Sequence, residues 1–360
     1  MLEARTRQVS SHALPGTTRH PGADHPHGDV RGRPQPQPQG RGWRALGQRE
    51  GHVHLHPGGR RPGGGGGGGR RAVVLGSRRV SIAVHAQPGG FGAAVTGIRL
   101  SDPISPSLAH ELRAAWLDHQ VLSFPDQPMS HEDLERFTVC FGAFGNDPYV
   151  EAIPDHPHIL EIRREPEESV APFGASWHSD WSFQAEPPAA TILHAKIVPP
   201  VGGETWYADG YGSYEALPAT LRDEIAGLTA IHSARRPYSH QGFLAGRGPE
   251  RSMTILPSDE ALNTQEHPLV RTHPETGRKA LWVNGVYTIG IREMGDDEAK
   301  SLLKRLFKHA TRDEFVYRHH WAPDMLTMWD NRSVQHCARG GYDGYRRVMH
   351  RTTVAGDAPA

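Results

Sequence analysis

The chain has 360 residues, with 40 basic and 40 acidic side chains, 24 histidines and only two cysteines. Cys140 and Cys337 are too few for a disulfide framework and fit a reducing compartment, and no apolar run approaches the roughly 18 residues needed to span a bilayer. The zero net charge hides an asymmetry: residues 1–79 carry 14 Arg and 4 acidic groups, a net of about +10, which leaves the remainder near −10.

Residues 1–79 are rich in Arg, Gly, Pro, Gln and His and include a glycine run from Gly63 to Gly69. They have few large apolar residues and no hydrophobic periodicity, so they cannot bury enough surface to offset the entropy of ordering. A disordered extension is expected. Aromatic interleaving is limited to Trp43, which argues against a nucleic-acid-binding arm. The polyglycine and Pro-Gln runs argue against a transit peptide, and no secretory signal opens the chain. A soluble cytoplasmic protein with no membrane and no nucleic-acid partner follows. Residues 80–360 are ample for one large core.

In chain order, Val80 to Leu100 reads as strands around a Gly-rich turn. Ser107 to His119 has helical apolar spacing at Leu108, Leu112, Ala115 and Trp116. Val121 to Phe124 is a short strand, and Ser130-His131-Glu132-Asp133 is a capping-box start for a helix to about Phe141. His158 to Ile162 is a strand, followed by a polar loop, Arg163 to Ser176, with the character of a lid. Further strands are expected at Ala190–Val198, Glu204–Ala208, Leu228–Ser233, Ala280–Asn284, Phe315–Trp321, Met325–Trp329 and Arg347–Val354. Asp296 to Lys308 carries a helical stripe through Ala299, Leu302, Leu303, Leu306 and Phe307. Many short strands, with helices at the start and in insertions, predict a mainly β fold with flanking helices, two packed sheets in a jelly roll.

The chemistry concentrates in Trp177-His178-Ser179-Asp180. On a strand, residues two apart share a face, so this spacing places an imidazole beside a carboxylate. His336 follows far downstream in Asp330-Asn331-Arg332-Ser333-Val334-Gln335-His336. Two His and one carboxylate with open positions form the facial triad of non-haem Fe(II) oxygenases. A His-x-Asp pair alone is more often surface or core. Here the order of the three residues, and Arg347 and Arg351 beyond them, favour a site. A guanidinium there can hold the carboxylate of an acidic cosubstrate with two hydrogen bonds.

Four segments together resemble the taurine dioxygenase / 2,4-dichlorophenoxyacetate dioxygenase family of Fe(II)- and 2-oxoglutarate-dependent oxygenases. They are Trp177 to Asp180, Gly202-Gly203-Glu204-Thr205, Arg271-Thr272-His273-Pro274-Glu275-Thr276-Gly277, and Trp329-Asp330-Asn331 through Thr353. The resemblance runs from about Val80 to the C-terminus. It implies a double-stranded β-helix and a site in which His178, Asp180 and His336 are the catalytic iron ligands. Arg347 and Thr205 would hold the distal carboxylate of 2-oxoglutarate. Arg351 would contact the substrate's sulfonate or carboxylate, or serve as a second cosubstrate contact. Tyr287 aligns with an aromatic pocket residue, a role weighed equally against core packing.

The implied cofactors are Fe(II), 2-oxoglutarate and O2. The implied reaction hydroxylates a small anionic organic substrate (a sulfonate, a sulfate ester, or an aryloxy or other carboxylic acid) and releases succinate and CO2. A carboxylate at Asp180 favours oxygenation over halogenation. Members of the family are commonly dimers or tetramers. The chain departs from taurine dioxygenase where taurine is held: the corresponding positions fall on Asp147, Val150 and Gly174, which disfavours taurine itself. Two other readings stay open. One is a non-catalytic metal- and 2-oxoglutarate-binding jelly roll. The other keeps the cofactor but ends in desaturation or decarboxylation within a biosynthetic pathway.

Overall fold

The computed structural model describes residues 82–245 and 251–360, so the extension expected over residues 1–79 lies outside the described residues. The strands in chain order are β1 (Ala83–Ala86), β2 (Ala93–Thr96), β3 (Val121–Phe124), β4 (Ala152–Ile153), β5 (His156–Arg164), β6 (Ala190–Ile197), β7 (Thr205–Asp209), β8 (Thr229–Ser233), β9 (Thr264–Pro268), β10 (Val270–Thr272), β11 (Lys279–Leu281), β12 (Thr288–Ile291), β13 (Val316–His319), β14 (Leu326–Asp330), β15 (Val334–Ala338) and β16 (Arg347–Val354). The helices are α1 (Pro106–His119), α2 (His131–Val139), α3 (Gly210–Glu215), α4 (Ala219–Ile225), α5 (Arg235–Tyr238) and α6 (Asp296–Ala310).

Eight strands form the largest sheet, in the order β1-β2-β3-β14-β6-β16-β5-β4. A smaller sheet, β13-β7-β15, faces it across a shared core. Two-residue alternation assigns the faces of the large sheet. Leu122, Ile192 and Met328 point to the side covered by α1 and α2, where they meet Leu112, Trp116, Leu134 and Phe137. Their neighbours Val121, Leu193, Trp329 and Met349 point the other way, onto Tyr207 of β7 and Val334 of β15. The fold is mainly β with flanking helices.

Local chemistry explains the helix ends. Ser105 caps α1 by accepting from the Leu108 amide, with Pro106 in its first turn, and the helix stops at Gln120 in a left-handed conformation. Ser130 and Asp133 form the expected capping box of α2. Helix α6 buries Leu302, Leu303 and Leu306 against Leu269, Leu281 and Val283. That unit brings in the third sheet, β12-β8-β9.

Three expectations need correction. His178 and Asp180 are not on a strand: His178 makes a single antiparallel bridge to His336, and the chain then turns, with Trp181 at φ 47°. The strand expected over Ala280–Asn284 ends at Leu281, because the Asn284 side chain caps a turn by accepting from the amides of Val286 and Tyr287. The lid-like loop begins later than expected, since β5 continues to Arg164. Among the described residues, no helix is long and apolar enough to cross a membrane.

Candidate metal and cosubstrate centre

The inner face of β16 is unusual for a central strand. All eight of its residues are buried, and they include Arg347 and Arg351. Buried charge is costly unless it is paired or reserved for a ligand. The side chains around these two arginines show which case applies to each.

His178 and His336 are held together by their own backbones. The His178 amide donates to the His336 carbonyl at 3.0 Å, and the His336 amide returns the bond at 2.8 Å. This pairing puts both rings on one side, with centroids 4.3 Å apart. The turn after His178 then swings Asp180 underneath. Its Oδ1 lies 3.5 Å from His178 Nε2 and 4.0 Å from His336 Nε2. The three donor atoms lie within 4.8 Å of one another, and all three residues are buried. One divalent ion with bonds of about 2.0–2.2 Å spans up to about 4.4 Å, which covers both separations between Asp180 and the imidazoles.

Neighbouring groups orient each donor. His178 Nδ1 donates to the Ser176 carbonyl at 2.7 Å, which leaves the Nε2 lone pair aimed at the cluster. Thr191 Oγ1 donates to Asp180 Oδ2 at 2.6 Å and accepts from Asn331 Nδ2 at 2.8 Å. Asn331 is in turn fixed by Trp329 Nε1 at 3.0 Å. Burial pushes the His336 imidazole down to about 3, helped by neighbouring His178, so it is neutral, the form a metal takes. Burial alone would raise the Asp180 carboxyl, but Arg351 and the two imidazoles outweigh it and hold it well below the usual carboxylate range. Thr191→Val, which keeps the shape and removes the hydroxyl, is expected to weaken Fe(II) binding by about tenfold to a hundredfold. Competition with a coloured chelator measures this directly.

The Arg271 to Gly277 segment buttresses the strand before His336. His273 Nε2 meets Asp330 Oδ2 at 3.0 Å, and Arg332 bonds both Asp330 and Glu275. Glu275 also pairs with Arg113 of α1 at 2.7 Å. These residues therefore belong to the scaffold that sets the approach of β15.

The two arginines of β16 differ. Arg347 is buried, and among the described residues its Nε and Nη2 have no hydrogen-bond partner. Burial lowers its pKa from the ordinary value, although a guanidinium stays charged in a protein. Gly203 comes close enough that an added Cβ would sit 3.5 Å from the Arg347 side chain. Tyr207 Oη and His336 Nδ1 are likewise buried without partners among the described residues. Tyr207 lies opposite His336 in the β7–β15 pairing, two residues along the same face from Thr205. Thr205 Oγ1 accepts from Trp321 Nε1 at 3.0 Å, which leaves its hydroxyl proton free to donate. Sequence reasoning missed Tyr207, although its two-residue spacing from Thr205 was a usable signal.

Arg351, by contrast, is answered from within the chain. Its Nη2 donates to Asp147 and its Nη1 lies 3.4 Å from Asp180 Oδ1, with the guanidinium over the Trp181 ring at 5.0 Å. Asp147 also accepts from Trp181 Nε1 and from Thr353 Oγ1. Sequence reasoning treated Asp147 as a lost substrate contact and did not foresee it as the counter-ion of Arg351.

A cavity of about 410 Å³ opens beside His178. Tyr287 forms part of its wall, with its ring edge-on to His178 at 6.1 Å between centroids. Gly174 also lines it, at φ 74°, and an added Cβ there would lie 3.3 Å from His178 Cε1. The segment 170–176, within the expected lid, supplies one wall.

Comparison with known proteins agrees with this geometry. The family model described as taurine catabolism dioxygenase TauD, TfdA family matches residues 83–353. The chain is 31% identical over 271 residues to an (S)-phenoxypropionate/alpha-ketoglutarate-dioxygenase of Sphingobium herbicidovorans, covering 74% of this chain and 92% of that one. It is 33% identical over 283 residues to an alpha-ketoglutarate-dependent 2,4-dichlorophenoxyacetate dioxygenase of Cupriavidus pinatubonensis, covering 74% and 96%. The crystal structure of a taurine dioxygenase from Burkholderia xenovorans superposes with a TM-score of 0.65 at 31% identity, covering 78% of this chain and 91% of that one. The chain belongs to the TauD/TfdA family of dioxygenases.

Proposed function

We propose that His178, Asp180 and His336 hold Fe(II) in this 2-oxoglutarate-dependent non-haem iron dioxygenase, and that Arg347 takes the far carboxylate of 2-oxoglutarate. The observation that carries the assignment is a buried guanidinium with two unsatisfied N–H donors on the face of β16 that it shares with Arg351, whose own guanidinium reaches Asp180 of the two-His, one-carboxylate cluster. A dicarboxylic cosubstrate fits this arrangement: one end meets the metal, and the other satisfies Arg347. Thr205 donates its hydroxyl proton to the same carboxylate, and Tyr207 Oη adds a further donor. The fold we assign is the double-stranded β-helix, with the metal between its two facing sheets.

Bound there, iron would supply the O2 chemistry that couples oxidative decarboxylation of 2-oxoglutarate to succinate and CO2 with hydroxylation of a substrate C–H bond. The protein's part is to position and to exclude water. His178, Asp180 and His336 would hold the ion and leave the rest of its coordination open to cosubstrate and O2. The backbone pairing of His178 with His336 fixes the two imidazoles on one side, and Thr191 fixes the carboxylate rotamer. Tyr287, Tyr238 and Phe173 wall the approach to His178 with apolar surface, so a substrate carbon placed there is shielded from solvent. The substrate is a small organic anion, and sulfonates, sulfate esters and aryloxy acids are the classes to screen. Cys140 and Cys337 are free thiols, and we place the protein in the cytoplasm on that basis.

Incubating the protein with Fe(II), O2 and 2-oxoglutarate alone tests the reading. Slow succinate release that stops on chelation is expected. Iron and 2-oxoglutarate bound with no succinate formed, with or without the substrate panel, would make this a binding protein instead.

A further inference from the structure

The proposed reading calls for an organic anion but leaves open which residue meets its charge. Arg351 is poorly placed to do so. Two of its nitrogens face Asp147 and Asp180, and it does not line the cavity beside His178. Asp147 already supplies the charge that a substrate carboxylate or sulfate would bring.

The cavity carries a different cation. Among the described residues, Arg251 is the single Lys or Arg in its lining, and no Asp or Glu lines it. Its Nη2 donates to the Ala171 carbonyl at 3.1 Å, which ties the guanidinium to the 170–176 wall. Among the described residues it makes no ion pair within 4 Å. It is partly buried, and burial lowers its pKa from the ordinary value. The surrounding surface is apolar, from Phe173, Tyr238, Leu244 and Val286. A cation with no ion pair among the described residues, with Glu168 near enough to offset part of its desolvation, and half withdrawn from water beside apolar walls, is an anion site with high local field.

We propose that Arg251 binds the anionic group of the substrate, whose apolar body fills the cavity towards His178, and that Arg351 is a positioning residue for Asp180. The substrate class is then an organic acid or sulfate ester with a compact apolar body, an aryloxy carboxylate or a short alkyl sulfate. A volume of about 410 Å³ lies at the small end of ligand pockets. Short polar zwitterions would leave the apolar walls uncovered.

This inference rests on the proposed function, and the experiment separates the two. Binding is measured calorimetrically and anaerobically, on full-length protein loaded with Fe(II) and 2-oxoglutarate. The probes are 2-phenoxypropionate, hexyl sulfate and the uncharged 2-phenoxypropionamide. Wild type is expected to prefer the two anions to the amide. Arg251→Met is expected to bind the anions about tenfold to a hundredfold more weakly and the amide unchanged, with Arg251→Lys in between. Wild type that shows no preference for the anions, or Arg251→Met that binds them as tightly as wild type, overturns the role of Arg251. Failure of wild type to take up iron and 2-oxoglutarate overturns the proposed function itself.

Discussion

Asp180→Ala lowers iron-dependent turnover of 2-oxoglutarate by more than about a hundredfold, because residues that merely orient a metal ligand already cost about tenfold to a hundredfold when removed. Asp180 is the only charged donor of the cluster, so its loss leaves a divalent ion with two neutral imidazoles. The fold is expected to survive. Arg351 keeps Asp147 as a partner, so the substitution does not leave a fully unpaired buried cation, the case that costs most. Thr191 loses one acceptor but keeps its bond from Asn331. Thermal unfolding without metal checks this, and iron binding checks the rest. In wild type, Fe(II) should raise the unfolding midpoint, since it binds the native state alone. In Asp180→Ala that rise should vanish. A variant that is folded, binds no iron and is inactive supports the assignment. One that keeps iron affinity places the metal elsewhere.

Arg347→Met should separate binding from stability. Removing one partner of a buried, hydrogen-bonded charge pair typically costs about 2–5 kcal/mol, which corresponds to roughly thirtyfold to several-thousandfold weaker 2-oxoglutarate binding. Iron affinity should hold, because Arg347 is not part of the donor cluster. The stability effect has the opposite sign. Without 2-oxoglutarate, the orphaned Nε and Nη2 of Arg347 burden the wild-type fold with desolvated donors. Met fills similar volume with no polar atom, so the cosubstrate-free variant should melt higher than wild type. Adding 2-oxoglutarate should then stabilise wild type and leave the variant unmoved. Arg347→Lys keeps a charge but loses the two-pronged geometry and should fall between them. A variant that melts lower in both conditions would mean that Arg347 is a packing residue.

The legible and illegible parts of this site divide on physical grounds. His178, Asp180 and His336 stood out because their side chains are chemically distinctive and their order suits a metal. The capping box of α2 and the stripe of α6 were equally plain, since both are local. The turn at Asp180 was not, because it depends on one bridge between His178 and a strand far along the chain. Strand β15 escaped notice because Val334, Gln335, His336 and Cys337 are all buried, so the alternation that marks a half-buried strand is missing. Asp147 read as a loss in sequence. Only the folded chain shows that it neutralises Arg351, since charge pairing across the fold leaves no local pattern. Arg251 lies in no motif at all and is identified only by the cavity it lines.

The central claim is that these three side chains hold iron and that 2-oxoglutarate binds to it. The direct test is an anaerobic titration of Fe(II)-loaded protein with 2-oxoglutarate, read by the weak visible charge-transfer absorption that forms when the cosubstrate chelates iron. The account predicts a band that grows to saturation in wild type and none in His178→Ala. No band in iron-loaded wild type, or an undiminished band in His178→Ala, would contradict it.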